Sequence, residues 1–124
     1  MTSARSQRGG MARRSGRRGE VWAALFLMLK GYRILAFRLA SPLGEIDLLA
    51  LKGGVLAVVE VKRRTSLEVA LEAVRPDQRT RLRRAAAAIA AGRPALKDVT
   101  IRLDLIALAP GRPPLHIPDA WKGA

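Results

Sequence analysis

The chain has 124 residues, which is enough for one domain and too few for two ordinary ones. It carries 23 Lys and Arg against 10 Asp and Glu, a formal net charge of +13, while 49% of its residues are hydrophobic. This composition excludes a wholly disordered protein and favours a folded body with a polyanionic partner. The absence of cysteine excludes disulfides, thiolate metal sites and a cysteine nucleophile, and we predict a cytoplasmic protein.

The positive charge is concentrated at the N-terminus. Residues 1–18 contain six arginines and no acidic residue, which leaves a net charge of +7 for the rest of the chain. Ser, Gly and Arg dominate there without apolar periodicity. This pattern predicts a disordered basic arm over residues 1–15 and a single domain over residues 16–120. Met11 lies inside the arm and is an alternative start to Met1.

The first apolar run, residues 21–29, follows this arginine-rich stretch and so resembles the start of a signal peptide. Glu20 at the junction and Lys30 at the end oppose that interpretation, and the run is far shorter than the ~20 apolar residues of a membrane span. Helical spacing instead predicts a helix that ends at Gly31 and turns one apolar face to the core. That face comprises Trp22, Leu25, Phe26 and Leu29.

Three short runs rich in Ile, Leu and Val follow, at residues 32–39, 45–51 and 55–61. Gly53 and Gly54 between the last two are a hairpin signal, so we predict an antiparallel meander. A helix begins at Pro76 and ends at Gly92, and a buried strand follows over residues 99–108. Residues 110–118 form a loop with a short edge strand. The order of elements predicts an α/β protein with a mixed sheet and helices packed on it.

Acidic residues stand at unusual places in these strands. Glu45 and Asp47 share one face of their strand, and Glu60 and Lys62 share a face of the next. Asp47 and Glu60 are equally far from the glycine turn, so their Cβ atoms should lie roughly 5 Å apart. Two carboxylates at that distance repel by roughly 3 kcal/mol at an effective dielectric of 20. A proton, a cation or a divalent metal such as Mg²⁺ or Mn²⁺ would relieve the repulsion, and the alternative is a set of solvated residues at a sheet edge.

An Asp followed by Glu-x-Lys on adjacent strands resembles the active-site pattern of the PD-(D/E)xK nucleases, which have the restriction-endonuclease-like fold. The resemblance is closer to the YraN family, bacterial proteins similar to archaeal Holliday junction resolvases. It covers residues 16–108 and rests on three strings, RGE at 18–20, GEIDLLA at 44–50 and VEVKRR at 59–64.

The resemblance implies roles for four residues. Asp47 and Glu60 would ligate Mg²⁺ or Mn²⁺, Lys62 would orient the attacking water and stabilise charge on the phosphate, and Glu20 would reach the site from the first helix. Glu45 and Gln78 would stand beside the metal ligands. Gln78 departs from the family, which commonly has a lysine there, and it brings no charge to that position.

Five arginines are candidates for phosphate contacts, with a solvated helix face as the alternative for those of the second helix. They are Arg18, Arg63, Arg64, Arg79 and Arg81. Three further residues have structural interpretations. We expect Trp22 in the core, His116 on the surface, and Asp104 as the partner of an arginine.

The predicted function is that of a Mg²⁺-dependent endonuclease acting on DNA, with branched DNA as one substrate. Resolution of a junction needs two symmetry-related nicks, so the resemblance implies a two-fold homodimer. The first alternative is a non-catalytic basic module that binds nucleic acid on the same fold. The second is a membrane-surface protein that uses the arginine-rich arm, although we predict no membrane partner.

Overall fold

The structure is a computed structural model and describes residues 18–122. The predicted basic arm over residues 1–15, with Met11, lies outside the described residues. No helix within residues 18–122 is both long enough and apolar enough to cross a membrane.

The elements follow the predicted order, with one short helix added. They are α1 (residues 18–29), β1 (Arg33–Leu39), β2 (Ile46–Lys52), β3 (Val55–Arg63), α2 (Leu67–Glu72), α3 (Pro76–Ala91), a 3₁₀ turn (Pro94–Leu96), β4 (Thr100–Leu108) and β5 (Leu115–Ile117). The five strands form one open sheet in the order β1-β2-β3-β4-β5. The chain therefore has the mixed α/β architecture that the sequence predicts.

Strand pairing in the sheet follows the lengths of the connections. β1, β2 and β3 form the predicted antiparallel meander, and β5 pairs antiparallel with β4 as a short edge strand. β3 and β4 are parallel, because α2 and α3 carry the chain back across the sheet between them. The carboxyl ends of β3 and β4 consequently lie at the same end of the sheet.

Helices cover both faces of the sheet. On one face, Leu82, Ala85 and Ala86 of α3 pack against Leu56 and Leu103 of the sheet. On the other face, α1 packs against a second buried cluster built on β2, β3 and β4. The central strands are thus buried on both sides, which explains their nearly continuous apolar sequences.

The predicted core face of α1 is wrong. Trp22 is 64% exposed and Leu29 is 88% exposed, and Leu25 is also exposed. The helix instead buries a stripe with the same i, i+3, i+4, i+7 spacing, two positions earlier: Glu20, Ala23, Ala24 and Leu27. Because alanine side chains are small, the helix can approach the sheet closely. The stripe also contains the carboxylate of Glu20, so a pattern of hydrophobic residues does not identify it as the buried face. Trp22 is therefore not a core residue.

The predicted end of α1 at Gly31 is confirmed, whereas the short helix α2 was missed. Gly31 ends α1 with a φ of +92°, and its N–H donates to the carbonyl of Met28. The short helix α2 was not predicted. Six residues are too few for a periodic signal, but Ser66 is its N-cap, accepting a hydrogen bond from the N–H of Val69 at 3.2 Å.

A buried polar cluster joins β4 to β5. Asp104, which is fully buried, accepts two hydrogen bonds from Arg102 at 2.8 Å and one from the N–H of Asp119 at 3.0 Å. Arg102 also donates to the Tyr32 hydroxyl at 2.5 Å. The prediction that Asp104 pairs with an arginine is confirmed.

His116 belongs to the same cluster, so the prediction of a surface residue is wrong. Its Nε2 lies 2.9 Å from Asp104 Oδ2, and its Nδ1 lies 2.6 Å from the Lys30 ammonium. Because an ammonium group has only donors, Nδ1 accepts and Nε2–H donates to Asp104. The tautomer of His116 is therefore fixed by its neighbours.

Candidate active site

Two carboxyl groups meet at the end of the β2–β3 hairpin away from the turn. The pairing runs from Lys52–Val55 to Leu48–Val59, and Asp47 and Glu60 are the next residues outward on the two strands. Asp47 Oδ2 accepts a hydrogen bond from the N–H of Val61 at 2.9 Å, and, in addition to burial, the Asp47 charge raises the pKa of Glu60 across the hairpin. The structure thus brings together the pair that the glycine turn predicts.

Glu60 is the more deeply buried member of the pair. Its residue is 2% exposed, and its Oε1 is a buried oxygen without a hydrogen-bond partner among the described residues. Burial, followed by the negative charge of Asp47, raises the pKa of Glu60 to about 8, although the Lys62 charge acts in the opposite direction. Near neutral pH, Glu60 therefore holds a proton when no cation replaces it.

Burial and neighbouring groups act on the pKa of the Asp47 carboxyl in opposite directions. Burial raises the pKa of its carboxyl above the ordinary value, while the Val61 N–H and the charge of Lys62 oppose that rise. Lys62 lies on the same strand as Glu60, with Nζ 3.8 Å from Glu60 Oε2 and a side chain that is 22% exposed. One ammonium group thus stands between the buried carboxyls and solvent.

Glu20 reaches the same place from α1. Both of its carboxylate oxygens accept from Arg38 Nε, at 2.9 and 2.7 Å. Burial raises the pKa of Glu20, and the hydrogen bond and charge of Arg38 offset part of that rise. Arg38 itself has a φ of +45°, just beyond an irregularity in the β1–β2 register. This arginine is a site residue that the sequence reasoning missed.

We expect Arg38→Ala to raise the pKa of Glu20 further, because burial would then act without the opposing hydrogen bond and positive charge. An NMR titration of the glutamate carboxyl carbons measures this shift. Arg33→Ala, an exposed arginine on the same strand, serves as the control. An unchanged Glu20 pKa in Arg38→Ala would contradict the assigned pairing.

Glu20, Asp47 and Lys62 line an open pocket of about 270 Å³, called here the acidic pocket, and Glu60 adjoins it as the residue before Val61 on β3. Its described lining comes from α1 and from β2, β3 and β4 at the end of the sheet where parallel β3 and β4 finish: Gly19, Glu20, Asp47, Val61, Lys62, Arg63 and Leu108. Such an edge is where open α/β sheets commonly bind ligands.

Within the described residues, the carboxyl groups at the acidic pocket do not form a three-residue metal cluster. No group of three or more His, Asp or Glu side chains within residues 18–122 is arranged to hold an ion. A pair of carboxylates with one unpartnered oxygen nevertheless suits Mg²⁺, which keeps several waters and takes one or two carboxylates together with substrate phosphate. The donor set therefore fits a divalent cation of this kind.

Glu45 and Gln78 lie farther out than the sequence suggests. Glu45 precedes β2 and is exposed, although its charge still raises the pKa values of Asp47 and Glu60. Gln78 is half-buried in the first turn of α3 and is not among the described residues that line the acidic pocket. Neither residue is among the described residues that line the acidic pocket, and their predicted place beside the metal ligands stays a prediction.

The five candidate phosphate-binding arginines separate into two groups. Arg18 adjoins Gly19 at the acidic pocket, Arg63 lines the pocket, and Arg64 follows it, and all three are exposed. Arg79 instead donates to the carbonyl of Val74 at 3.0 Å and stacks over a tryptophan ring, and Arg81 pairs with Asp77. The arginines near β3 are therefore exposed beside the acidic pocket, whereas those of α3 have partners within the chain.

Comparison with known proteins identifies relatives along most of the chain. Residues 19–108 match the model of the "Uncharacterised protein family UPF0102". A UPF0102 protein of Caulobacter vibrioides strain NA1000 / CB15N is 69% identical over 120 residues, covering 97% of this chain and 96% of the relative. A UPF0102 protein of Caulobacter sp. strain K31 is 72% identical over 114 residues, which cover 92% of this chain and 82% of the relative. A UPF0102 protein of Paramagnetospirillum magneticum is 50% identical over 115 residues, which cover 90% of this chain and 89% of the relative.

Proposed function

We propose that the chain, which belongs to the UPF0102 family, is a metal-dependent endonuclease that hydrolyses phosphodiester bonds in DNA, branched DNA included. The observation that carries this proposal is the half-buried Asp47 beside the buried Glu60, which has one oxygen without a partner among residues 18–122, next to Lys62. Two carboxylates at such a place destabilise a fold unless a proton or a cation offsets one of the charges. A catalytic cation is a reason for a protein to retain such a pair.

Asp47 and Glu60 would hold Mg²⁺ or Mn²⁺ in this function. When bound, such an ion lowers the pKa of its water and offsets the charge that develops on the phosphoryl oxygens. The protein's own part is orientation, since the N–H of Val61 fixes the Asp47 carboxylate at 2.9 Å. Burial keeps the Glu60 side chain rigid and largely free of bulk water.

Lys62 supplies the positive charge closest to this pair. Its Nζ lies 3.8 Å from Glu60 Oε2 while part of the side chain reaches the acidic pocket. From there it can donate to a phosphate oxygen or to the attacking water, and such a donor acts most strongly where water is excluded. Arg18, Arg63 and Arg64 extend the positive surface along the strand that would be cleaved.

A cleavage assay with Lys62→Ala tests the proposal. We expect wild-type protein to cut branched or duplex DNA with Mg²⁺ or Mn²⁺ and Lys62→Ala to be about 10²- to 10³-fold slower, the usual loss for one stabilising donor. Lys97→Ala removes an exposed lysine elsewhere and should retain wild-type activity. Cleavage that persists unchanged in Lys62→Ala would refute the assignment.

A non-catalytic module that binds nucleic acid is the second candidate. It is favoured by the engagement of both Glu20 oxygens by Arg38, which leaves two carboxyls for a metal. This function predicts binding that weakens about 10³-fold between 50 and 200 mM salt if six phosphates are contacted, with no metal dependence and no products. The same DNA substrates, examined for binding and for cleavage, distinguish the two functions.

A further inference from the structure

A second cavity, of about 500 Å³, adjoins the acidic pocket. One wall is Trp22 of α1, the opposite wall is the loop over residues 109–114, and two arginines, Arg63 and Arg112, stand at its border. Its volume lies within the range of small-molecule binding sites. We call it the tryptophan cavity.

Trp22 is the unusual residue of this cavity. It is 64% exposed, whereas its neighbours Ala23 and Ala24 are buried against the sheet. A large aromatic ring left in solvent contributes little to stability, but it offers a flat apolar surface with a polar N–H at its edge. Such a ring beside basic side chains is what proteins use to stack the bases of single-stranded nucleic acid.

The opposite wall is rigid. Arg112 N–H donates to the carbonyl of Ala109 at 3.2 Å, which closes a turn with Pro110 and Gly111 at its centre. Gly111 has a φ of +70°, the conformation that favours glycine at this place in a type II turn, and Pro113 and Pro114 stiffen the segment that follows. The cavity is therefore formed before a ligand arrives, which reduces the entropy lost on binding.

The tryptophan cavity and the acidic pocket are neighbours, since Arg63 and Leu108 line both of them. A nucleotide bound against Trp22 would therefore lie next to the place where a phosphate would meet Asp47 and Lys62. Arg63 and Arg112 are exposed, so they can neutralise the phosphates on either side of that group.

We propose that the tryptophan cavity binds one unstacked nucleobase, with Trp22 as the stacking surface, next to the phosphate held in the acidic pocket. The inference rests on the proposed function, because it takes the acidic pocket as the place of that phosphate. A base inside a duplex must first be unstacked and flipped out, whereas a single-stranded or branched site presents it without that cost. The substrate we propose is therefore single-stranded, or branched, at the nucleotide beside the cleaved bond.

Self-association is the competing use of this helix. Val21, Leu25, Met28 and Leu29 are also exposed on α1 and would suit a second copy of the chain. The nucleobase is favoured at Trp22 because this residue, unlike Leu29, lines a cavity bordered by two arginines and adjacent to the acidic pocket. The experiment below separates the two uses.

The test measures binding without metal, so that it does not depend on cleavage. A labelled oligothymidylate and the same oligonucleotide with abasic sites carry equal charge, and only the first can stack. Fluorescence anisotropy in EDTA compares wild type with Trp22→Ala, Trp22→Phe and the control Leu29→Ala. We expect Trp22→Ala to bind oligothymidylate about 10-fold more weakly or worse, the usual loss for one stacked base.

Three further results support the inference: equal binding of the abasic oligonucleotide by wild type and Trp22→Ala, near-normal binding by Trp22→Phe, and no effect of Leu29→Ala. Equal weakening on both oligonucleotides, or none on either, would overturn it. It would also be overturned if Trp22→Ala and Leu29→Ala both converted a dimer to a monomer, measured by sedimentation, with a matching loss of binding. If stacking is found but Mn²⁺ produces no cleavage, the inference stands and only the proposed nuclease fails.

Discussion

Glu60→Gln is expected to slow cleavage strongly and, at the same time, to stabilise the metal-free protein at neutral and alkaline pH. A glutamine amide keeps the shape of the protonated carboxyl, and its N–H group can donate to a neighbouring carboxylate. It carries no charge, so it neither repels Asp47 nor suffers the cost of burying an anion. As an uncharged metal ligand it is poor, and we expect activity to fall by about 10²-fold or more.

The pH dependence has a definite sign. Glu60 has a pKa of about 8 in the folded protein and about 4.5 when unfolded. Between these values the folded chain binds a proton that the unfolded chain does not, so stability falls as the pH rises. The slope is about 1 kcal/mol per pH unit for this one group. Glu60→Gln removes this contribution, and its advantage over wild type should grow from pH 4.5 to about 8.

Urea denaturation of both proteins across this pH range, in EDTA, measures the difference. Glu68→Gln, an exposed glutamate on α2, should follow wild type throughout. A Glu60→Gln variant that is less stable than wild type at pH 8 would contradict the repulsion assigned to the pair.

Adding Mn²⁺ should make wild type more stable than Glu60→Gln, the reverse of the order without metal. Since a metal binds the ionised carboxylates, it competes with the proton on Glu60 and its affinity rises with pH. Wild type should gain stability from Mn²⁺, and more at pH 8 than at pH 6, whereas Glu60→Gln should gain little. Equal gains in both proteins would show that the ion binds elsewhere.

The carboxyl pair was predictable because its cause is local. The Gly53–Gly54 turn sets the register of two strands, and strand alternation then decides which side chains are neighbours. Asp47 and Glu60 follow from counting outward from that turn. Neither helix packing nor any distant segment is needed for this step.

The errors share a different origin. The core face of α1 was assigned to the larger side chains, but the packing surface selects Ala23, Ala24 and Leu27, which allow close approach. Arg38 reaches Glu20 only because β1 has a register irregularity and a positive φ at that residue. No periodic pattern in a single sequence contains these features.

The burial of His116 could not be predicted either, because it depends on the pairing of the three-residue strand β5 with β4. That pairing places His116 beside Asp104, 12 residues away in the chain, and beside Lys30, 86 residues away. A histidine within a proline-rich loop gives no local sign of such partners. Long-range polar networks are the part of the fold that hydrophobic patterns leave undetermined.

The polar network also leads to the largest expected loss of stability, in Asp104→Asn. Asp104 is fully buried and accepts from Arg102, His116 and the N–H of Asp119. The asparagine keeps the volume but leaves Arg102 without its anion and presents an amide donor to groups that are themselves donors. Loss of one partner of a buried ion pair destabilises by about 3 kcal/mol.

Acid should reduce the difference in unfolding free energy between wild type and Asp104→Asn. Burial by itself would raise the pKa of Asp104, but the hydrogen bonds from His116, Arg102 and Asp119 outweigh it and hold the pKa below its usual value of 3.8. A carboxyl with a lowered folded-state pKa stabilises the protein above its unfolded pKa, and this contribution is lost as the pH falls below 3.8. Wild type and Asp104→Asn should therefore become more alike in acid.

Chemical denaturation at neutral pH and at the lowest pH where wild type stays folded provides both measurements. Asp77→Asn is the matched control, because Asp77 forms an exposed pair with Arg81 and its loss should change stability by less than about 1 kcal/mol. Asp104 lies on β4 and is not among the described residues that line the acidic pocket. Its replacement should therefore lower the unfolding free energy and leave unchanged the metal dependence of any cleavage by the molecules that remain folded.

An Asp104→Asn protein as stable as wild type would contradict this prediction. It would show that the cost of desolvating Asp104 cancels the stabilisation from its hydrogen bonds.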